Sequence, residues 1–319
     1  MESTTTNDMT TILLPSSVSA DILEFLIAKS KRQYQSNKSA FYNFVLDLSQ
    51  IKYIDVEGAL SLICFCAAIK RKNKSVNFRF IYPNENVLSY LTTLGFFTQM
   101  SNKIGGLEGQ NIVHYENELR QSRRIRQKHY SSENRLLPII LPIETINQKT
   151  SSNSGSDFDN IVGTFANQAL DSFDDLETTP HYKFNGEDYF QFRLSNIELY
   201  KNIFHHSKSW GIATIHARPH FGTTVSYFDI GIGFKESVGK FNSEEESIIW
   251  ALKDGNTSKE KSDNDGFGLT HVQEFVFKRK GTIKIRSGDC QIELTSPSGI
   301  KKSNVGKFPG VQITFFIPV

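Results

Sequence analysis

Short apolar stretches alternate between strand-like and helix-like spacing along the first hundred residues. The stretch FYNFVLDL, residues 41–48, carries apolar side chains on both faces of an expected strand, which predicts a strand covered on both sides. A second strand is predicted at residues 76–81 and a short edge strand at residues 11–14. Helical spacing predicts three helices, over residues 18–31, 58–70 and 84–94. Strands and helices in this alternation indicate an α/β domain.

The pattern predicts a second α/β unit after residue 135. Strands are expected at residues 136–143, 189–194, 212–218, 225–229, 281–286, 291–294 and 311–317. Helices are expected at residues 157–173 and 196–207, around residues 248–252 and at residues 269–277. The resulting domain prediction is residues 10–104, a linker at 105–134, and residues 135–319.

The linker region is polar and includes LRQSRRIRQK, residues 119–128, which holds five cations. Such a run can bind an anionic partner, but more often it is a solvated connecting helix.

Composition excludes several classes of protein. The chain has 319 residues, a formal net charge of +2 and 38% hydrophobic residues, so nothing in its overall charge demands nucleic acid or an anionic membrane. Three cysteines form neither a disulfide framework nor a metal-binding spacing. The N-terminus lacks the basic and apolar segments of a signal peptide, and the longest apolar run, residues 59–69, is too short to span a bilayer. We expect a cytoplasmic protein with neither a membrane span nor a clear nucleic-acid site.

A polar pair stands on the predicted helix of residues 196–207. Glu198 and Asn202 are four residues apart and therefore share one face. A carboxamide oxygen is a hard ligand suited to Mg²⁺, and a carboxylate can accept a proton from a water or hydroxyl nucleophile. The simpler interpretation is a solvated polar face, which is more common for such pairs.

Two glycine motifs follow the helix. Asp229-Ile-Gly231-Ile-Gly233 ends a predicted strand, where Asp229 could accept a hydrogen bond from an exocyclic amine and the glycines could let the backbone approach a flat ring. Gly266-Phe-Gly268 opens a predicted helix, whose exposed N–H groups and dipole favour a phosphate. Residues 234–265 between the motifs contain a Gly-, Ser- and Lys-rich stretch that is typical of a lid or a disordered loop. Each motif alone is weak, because such turns often only connect elements.

In this order, the motifs resemble the GHKL (Bergerat-fold) ATP-binding domain found in DNA gyrase, histidine kinases and anti-sigma factor kinases. The resemblance covers residues 135–319 and implies an α/β two-layer sandwich that binds ATP and Mg²⁺. It implies that Asn202 holds the metal, Glu198 is the general base and Asp229 recognises the adenine amino group. The resemblance implies further residues for cofactor binding. They are His206, which follows the Glu198 and Asn202 pair, Gly231 and Gly233 at the adenine, Thr257 and Lys259 in the lid, and Gly266, Gly268 and Leu269 at the phosphates. The chain departs from the family at Gly310-Val311, where a Gly-Thr pair is common.

The first domain resembles the STAS family of anti-sigma factor antagonists through LDLSQIKYIDVEG and the helix that follows. Asp47, Ser49, Asp55 and Gly58 match the family's D-x-S and D-x-x-G pattern. The family's phosphorylated Ser or Thr is replaced by Glu57, whose carboxylate would carry part of a phosphate's charge at a helix N-terminus. A simpler interpretation is a favourable acid in the first turn.

The two resemblances together imply a regulatory switch of the anti-sigma type, in which a Mg-ATP site controls or phosphorylates a protein partner contacted through either domain. The chain could also form a homodimer. One alternative is an ATPase whose lid closure drives a conformational change while the STAS domain docks a partner. Another is a sensor that binds nucleotide without turnover. As an enzyme, the protein would be an ATPase or a serine/threonine protein kinase of the GHKL type.

Overall fold

The computed structural model describes residues 9–36, 43–104, 139–146, 186–218, 221–253, 268–296 and 299–318. The chain divides into two compact units, Met1–Ile125 and Arg126–Val319. The first contains parallel sheets and the second an antiparallel sheet, each with helices, so the prediction of a mixed α/β chain is confirmed. The predicted linker and the predicted helix of residues 157–173 lie outside the described residues. None of the described helices is long and apolar enough to cross a membrane.

The first unit alternates strands and helices as expected. Its elements are β1 (Met9–Leu13), β2 (Ser17–Val18), α1 (Ile22–Ser36), β3 (Asn43–Asp47), β4 (Tyr53–Ile54), α2 (Val56–Lys72), β5 (Asn77–Ile81), α3 (Glu85–Leu94) and α4 (Phe96–Ile104). A parallel sheet has the order β1-β3-β5, and β2 pairs with β4. Consecutive residues of the central strand, Phe44, Val45 and Leu46, are all buried, so the prediction of a strand covered on both faces is confirmed for β3.

Helix α2 forms the centre of the first unit. Asp55 caps it by accepting a hydrogen bond from the backbone N–H of Gly58 at 2.7 Å. Three cations in its last turn favour the helix dipole. A Cβ at Gly58 would lie 2.7 Å from the carbonyl oxygen of Val18, so the close approach of β2 requires glycine there. Every residue from Gly58 to Ala68 is buried.

The second unit is built on one five-stranded sheet. Its elements are β6 (Ile139–Ile146), α5 (Gly186–His206), β7 (Gly211–Arg218), β8 (Gly222–Asp229), α6 (Gly233–Val238), α7 (Glu244–Ala251), α8 (Gly268–Lys278), β9 (Thr282–Thr295) and β10 (Gly299–Pro318). The strand order is β6-β7-β8-β10-β9, with antiparallel neighbours. Apolar side chains of α5 and α8 join those of the strands in one core.

The structure corrects several predicted elements of this unit. The short strand predicted at residues 189–194 is wrong, because those residues belong to α5, which begins at Gly186. The aromatic residues there alternate like those of a strand, but the burial follows a helical period. The buried residues are Asp188, Phe192, Ser195, Asn196, Leu199, Tyr200 and Ile203. The strands predicted at residues 281–286 and 291–294 form a single strand, β9. Helix α6 was not predicted, and in the first unit α4, β2 and β4 were not predicted either.

Candidate functional site

Helix α5 separates a buried face from a polar face. Leu199, Tyr200 and Ile203 lie in the core, whereas Glu198 and Asn202 are half-buried. The helix is tied to β8 through Asn196, whose side-chain oxygen accepts a hydrogen bond from the hydroxyl of Tyr227 at 2.9 Å. Burial, and to a lesser extent the neighbouring Tyr200, raises the pKa of Tyr227, which keeps that phenol a neutral donor. The polar face is therefore held in a fixed position relative to the sheet.

The first residue of α8 lies against this polar face. A Cβ at Gly268 would be 3.0 Å from Oε2 of Glu198 and 3.8 Å from Nδ2 of Asn202. The next residue, Leu269, buries its side chain in the core and anchors the start of the helix. Glu198 thus stands beside a helix N-terminus, where a negative charge is favourable. A larger side chain at position 268 would meet the Glu198 carboxylate.

The carboxylate of Asp229 is buried at the end of β8 and is only 3% exposed. Its Oδ1 accepts a hydrogen bond from the backbone N–H of Gly231 at 2.6 Å. Gly310 of β10 faces it with a φ of +86°, and a Cβ there would lie 2.7 Å from Oδ1 and 2.2 Å from the Asp229 carbonyl oxygen. Only glycine at position 310 leaves space for this carboxylate.

The turn after Asp229 packs on the end of α5. The backbone N–H of Ile232 donates to the carbonyl oxygen of Ser207 at 3.1 Å, and a Cβ at Gly231 would lie 2.0 Å from that same oxygen. Nδ1 of His206 is 3.1 Å from the hydroxyl of Ser237 on α6. The space that a side chain at position 231 would need is therefore filled by protein atoms.

The predicted site residues form two groups joined by α5. The first comprises Glu198, Asn202 and Gly268, and the second comprises Asp229 and Gly231, beside which Gly310 of β10 lies. His206 and Ser207 at the end of α5 connect it to the turn and to α6. Three further predicted residues lie outside the described part of the chain: Thr257, Lys259 and Gly266.

Gly233 begins α6 and lies against side chains from α7 and β9. Its φ is +80°, and a Cβ there would be 2.9 Å from Oγ of Ser287 and 3.1 Å from Oε1 of Glu244. The sequence analysis missed Glu244 and Ser287, which are brought to this turn from α7 and β9. Their only local sequence signals are a helix-capping serine before Glu244 and a glycine after Ser287.

Asn202 is the predicted metal ligand. Among the described residues there is no group of three or more His, Cys, Asp or Glu side chains that could hold a metal ion. Mg²⁺ commonly binds through one or two protein ligands, several waters and the phosphates of a substrate. A Mg²⁺ ion at Asn202 would therefore take most of its oxygen ligands from outside the protein.

No family model matches this chain, and no curated protein matches it.

Proposed function

We propose that the second unit binds Mg-ATP as a GHKL-type domain and that the chain is an ATP-dependent switch controlling or phosphorylating a protein partner. The main support is the approach of Gly268 to Glu198 and Asn202. These residues come from motifs far apart in the sequence, and the resemblance requires the two motifs to meet at the nucleotide phosphates.

The residues around Asp229 suit a purine base that carries an exocyclic amine. The buried carboxylate is an acceptor, and glycine at position 310 leaves space beside it. In this proposal Asp229 holds the adenine, Asn202 holds Mg²⁺, and the start of α8 holds the phosphates. When bound, Mg-ATP supplies a phosphoryl group that can be transferred to water or to a hydroxyl.

Glu198 is the candidate general base. It is half-buried and lies beside the first residue of α8, so its carboxylate is next to the proposed phosphate position. Its role is to orient the attacking water or hydroxyl and to accept its proton. This residue favours a catalytic function over nucleotide binding alone.

The first unit is the proposed docking module, of the STAS type. Glu57 lies half-buried in the first turn of α2, next to Asp55, which caps that helix. A permanent carboxylate at this position would hold the module in one charge state, whereas a serine or threonine would be switched by phosphorylation.

The test is nucleotide binding and ADP formation by the full chain. Wild type should bind ATP in the presence of Mg²⁺, Asn202→Ala should lose the Mg-dependent binding, and Glu198→Ala should bind ATP but form no ADP. Glu274→Ala on α8, an exposed carboxylate, is the matched control and should behave like wild type. Undiminished Mg-dependent binding by Asn202→Ala would contradict the assignment.

The products distinguish the alternatives. Transfer of labelled phosphate to a protein indicates a kinase, and release of free phosphate indicates an ATPase. Unchanged bound ATP indicates a sensor.

A further inference from the structure

Two backbone amides that follow the Asp229 turn are capped from other elements of the fold. They belong to Phe234 and Lys235 in the first turn of α6, where N–H groups lack partners within the helix. Ile232 precedes the helix and has no polar side chain with which to cap it. The N–H of Phe234 donates to Oγ of Ser287 at 2.9 Å, and the N–H of Lys235 donates to Oε2 of Glu244 at 2.9 Å.

Glu244 is the centre of this arrangement. Its Oε2 also accepts a hydrogen bond from the hydroxyl of Ser287 at 2.7 Å, so one carboxylate oxygen binds both a backbone amide and the second capping residue. Gly288 has a φ of +55°, and a Cβ there would lie 2.8 Å from Oε1 of Glu244. Together with the close approach of Gly233, this leaves the carboxylate little freedom to move. Hydrogen bonds to an ionised acceptor are stronger than neutral ones.

The helix that carries Glu244 is itself held firmly. Ser243 caps α7 and accepts a hydrogen bond from the N–H of Glu246 at 3.1 Å. Ile248 is fully buried in the core. Glu244 therefore connects a fixed part of the unit to the turn that follows Asp229.

We infer that Glu244, acting with Ser287, is a positioning residue that fixes the Asp229 turn and thereby sets the preference for an adenine base. The inference rests on the proposed function. Asp229 receives a hydrogen bond from the N–H of Gly231, which lies in the turn that ends at the capped amides. Loss of the cap frees the end of the turn, and the orientation of the Asp229 carboxylate then becomes less defined. Loss of the cap should therefore lower the preference for adenine over other bases more than it lowers the stability of the fold.

The experiment uses the full chain with Glu244→Ala, Glu244→Gln and the control Glu245→Gln, which removes a neighbouring charge from the same helix. The first measurement is amide hydrogen exchange at Phe234 and Lys235 without nucleotide. The second is the ratio of the affinities for ATP and inosine triphosphate, which carries a carbonyl where adenine has its amine. We expect Glu244→Ala to speed exchange and to lower the ATP preference, each by about tenfold or more, as for a lost hydrogen bond to a charged group.

Glu244→Gln retains a carbonyl oxygen as an acceptor and should recover part of both effects, whereas Glu245→Gln should change neither. The inference is overturned if Glu244→Ala exchanges like wild type, or if exchange accelerates while the ATP preference stays unchanged. Failure of wild type to bind either nucleotide would overturn the proposed function together with the inference. If instead wild type and Glu244→Ala both bind ATP with the same preference, only the inference is overturned.

Discussion

Helices α2 and α5 both contact strands of their units, but they bury their residues differently. Helix α2 is buried without interruption from Gly58 to Ala68, including its two cysteines. Burial raises the pKa of the Cys66 thiol, which keeps it protonated and inert. Helix α5 is buried along one stripe only, and Glu198 and Asn202 remain half-exposed on another face.

This difference separates a helix that builds a core from a helix that can carry chemistry. A helix covered on all sides contributes to stability through apolar burial, and its side chains cannot reach a ligand. A helix with one apolar stripe leaves polar groups at a fixed height above the sheet, where a second element can meet them. In the second unit that element is the start of α8. Substitutions in the two helices should therefore affect different properties.

The largest effect is expected for Leu62→Ala in α2. Leu62 is fully buried, so its truncation should leave a cavity and lower the free energy of unfolding by about 2–5 kcal/mol. Asn202→Ala in α5 removes a half-buried polar group and should cost less than about 1 kcal/mol, while abolishing Mg-dependent nucleotide binding. Urea unfolding followed by circular dichroism measures the free energy of unfolding of both variants.

Leu62→Met, which preserves the volume, is the control and should cost less than about 1.5 kcal/mol. Equal destabilisation by Leu62→Ala and Asn202→Ala would mean that Asn202 is a structural residue, and the contrast between the two helices would fail.

Each unit contains a basic group whose pKa is lowered, but the two groups titrate in different pH ranges. In the second unit, burial and then the nearby charge of Arg218 lower the pKa of His216 to about 4. In the first unit, burial lowers the pKa of Lys103 to about 8, against an opposing effect of Cys64. Both groups are harder to protonate in the folded state, so stability falls as the pH drops from the unfolded pKa towards the folded one. For His216 this window is about pH 6.5 to 4, and for Lys103 about 10.5 to 8.

The second prediction is a loss of stability of the second unit in mild acid. Between pH 7 and 5 the unfolded chain protonates His216 while the folded chain does not, which should cost about 1–2 kcal/mol. The chain has two tryptophans, Trp210 and Trp250, and both belong to the second unit, so urea unfolding followed by tryptophan fluorescence reports on it. His216→Gln should reduce the loss by that amount. An unchanged pH dependence in this variant would exclude His216 as its source.

The periodicity of apolar residues predicted most elements because burial on one face leaves a direct imprint on sequence. It succeeded for β3 and α2, which carry long apolar runs, and for β6, whose apolar residues pair with β7. It failed at the start of α5, where aromatic residues alternate by chance and the true stripe includes the polar residues Asp188, Ser195 and Asn196. Asp188 and Asn196 are held by the tertiary partners Arg279 and Tyr227, which a local pattern does not contain.

The prediction of site residues is limited in the same way, because a local pattern contains no contacts between distant elements. Glu198, Asn202 and Asp229 could be selected because their motifs follow one another in the order that resembles the GHKL domain, although each motif alone is weak. Glu244 and Ser287 could not, because they act through contacts between elements distant in sequence, and a glutamate at a helix start is usually only a favourable first-turn acid.

The helices differ in which type of residue adopts the left-handed conformation at their ends. In the first unit, α3 ends at Gly95, which adopts the left-handed conformation with a φ of +78°. In the second unit α6 ends in the same way at Gly239, with a φ of +66°. Lysines occupy the left-handed positions after α5 and α8, with φ values of +52° at Lys208 and +57° at Lys280. A left-handed conformation is costly for a residue with a Cβ and nearly free for glycine.

The smallest predicted effect is therefore a gain in stability from Lys280→Gly. Lys280 is exposed, and its N–H donates to the carbonyl oxygen of Phe277 at 2.9 Å, a bond that glycine would keep. Relief of the strained φ should outweigh the greater flexibility of glycine in the unfolded chain, for a net gain of about 0.5–1 kcal/mol. Lys280→Ala removes the same charge but retains the Cβ, so it should give no gain in urea unfolding followed by tryptophan fluorescence. An equal gain from both variants would assign the effect to the lost charge rather than to the backbone. The left-handed conformation of Lys280 would then cost no more stability than that of Gly95.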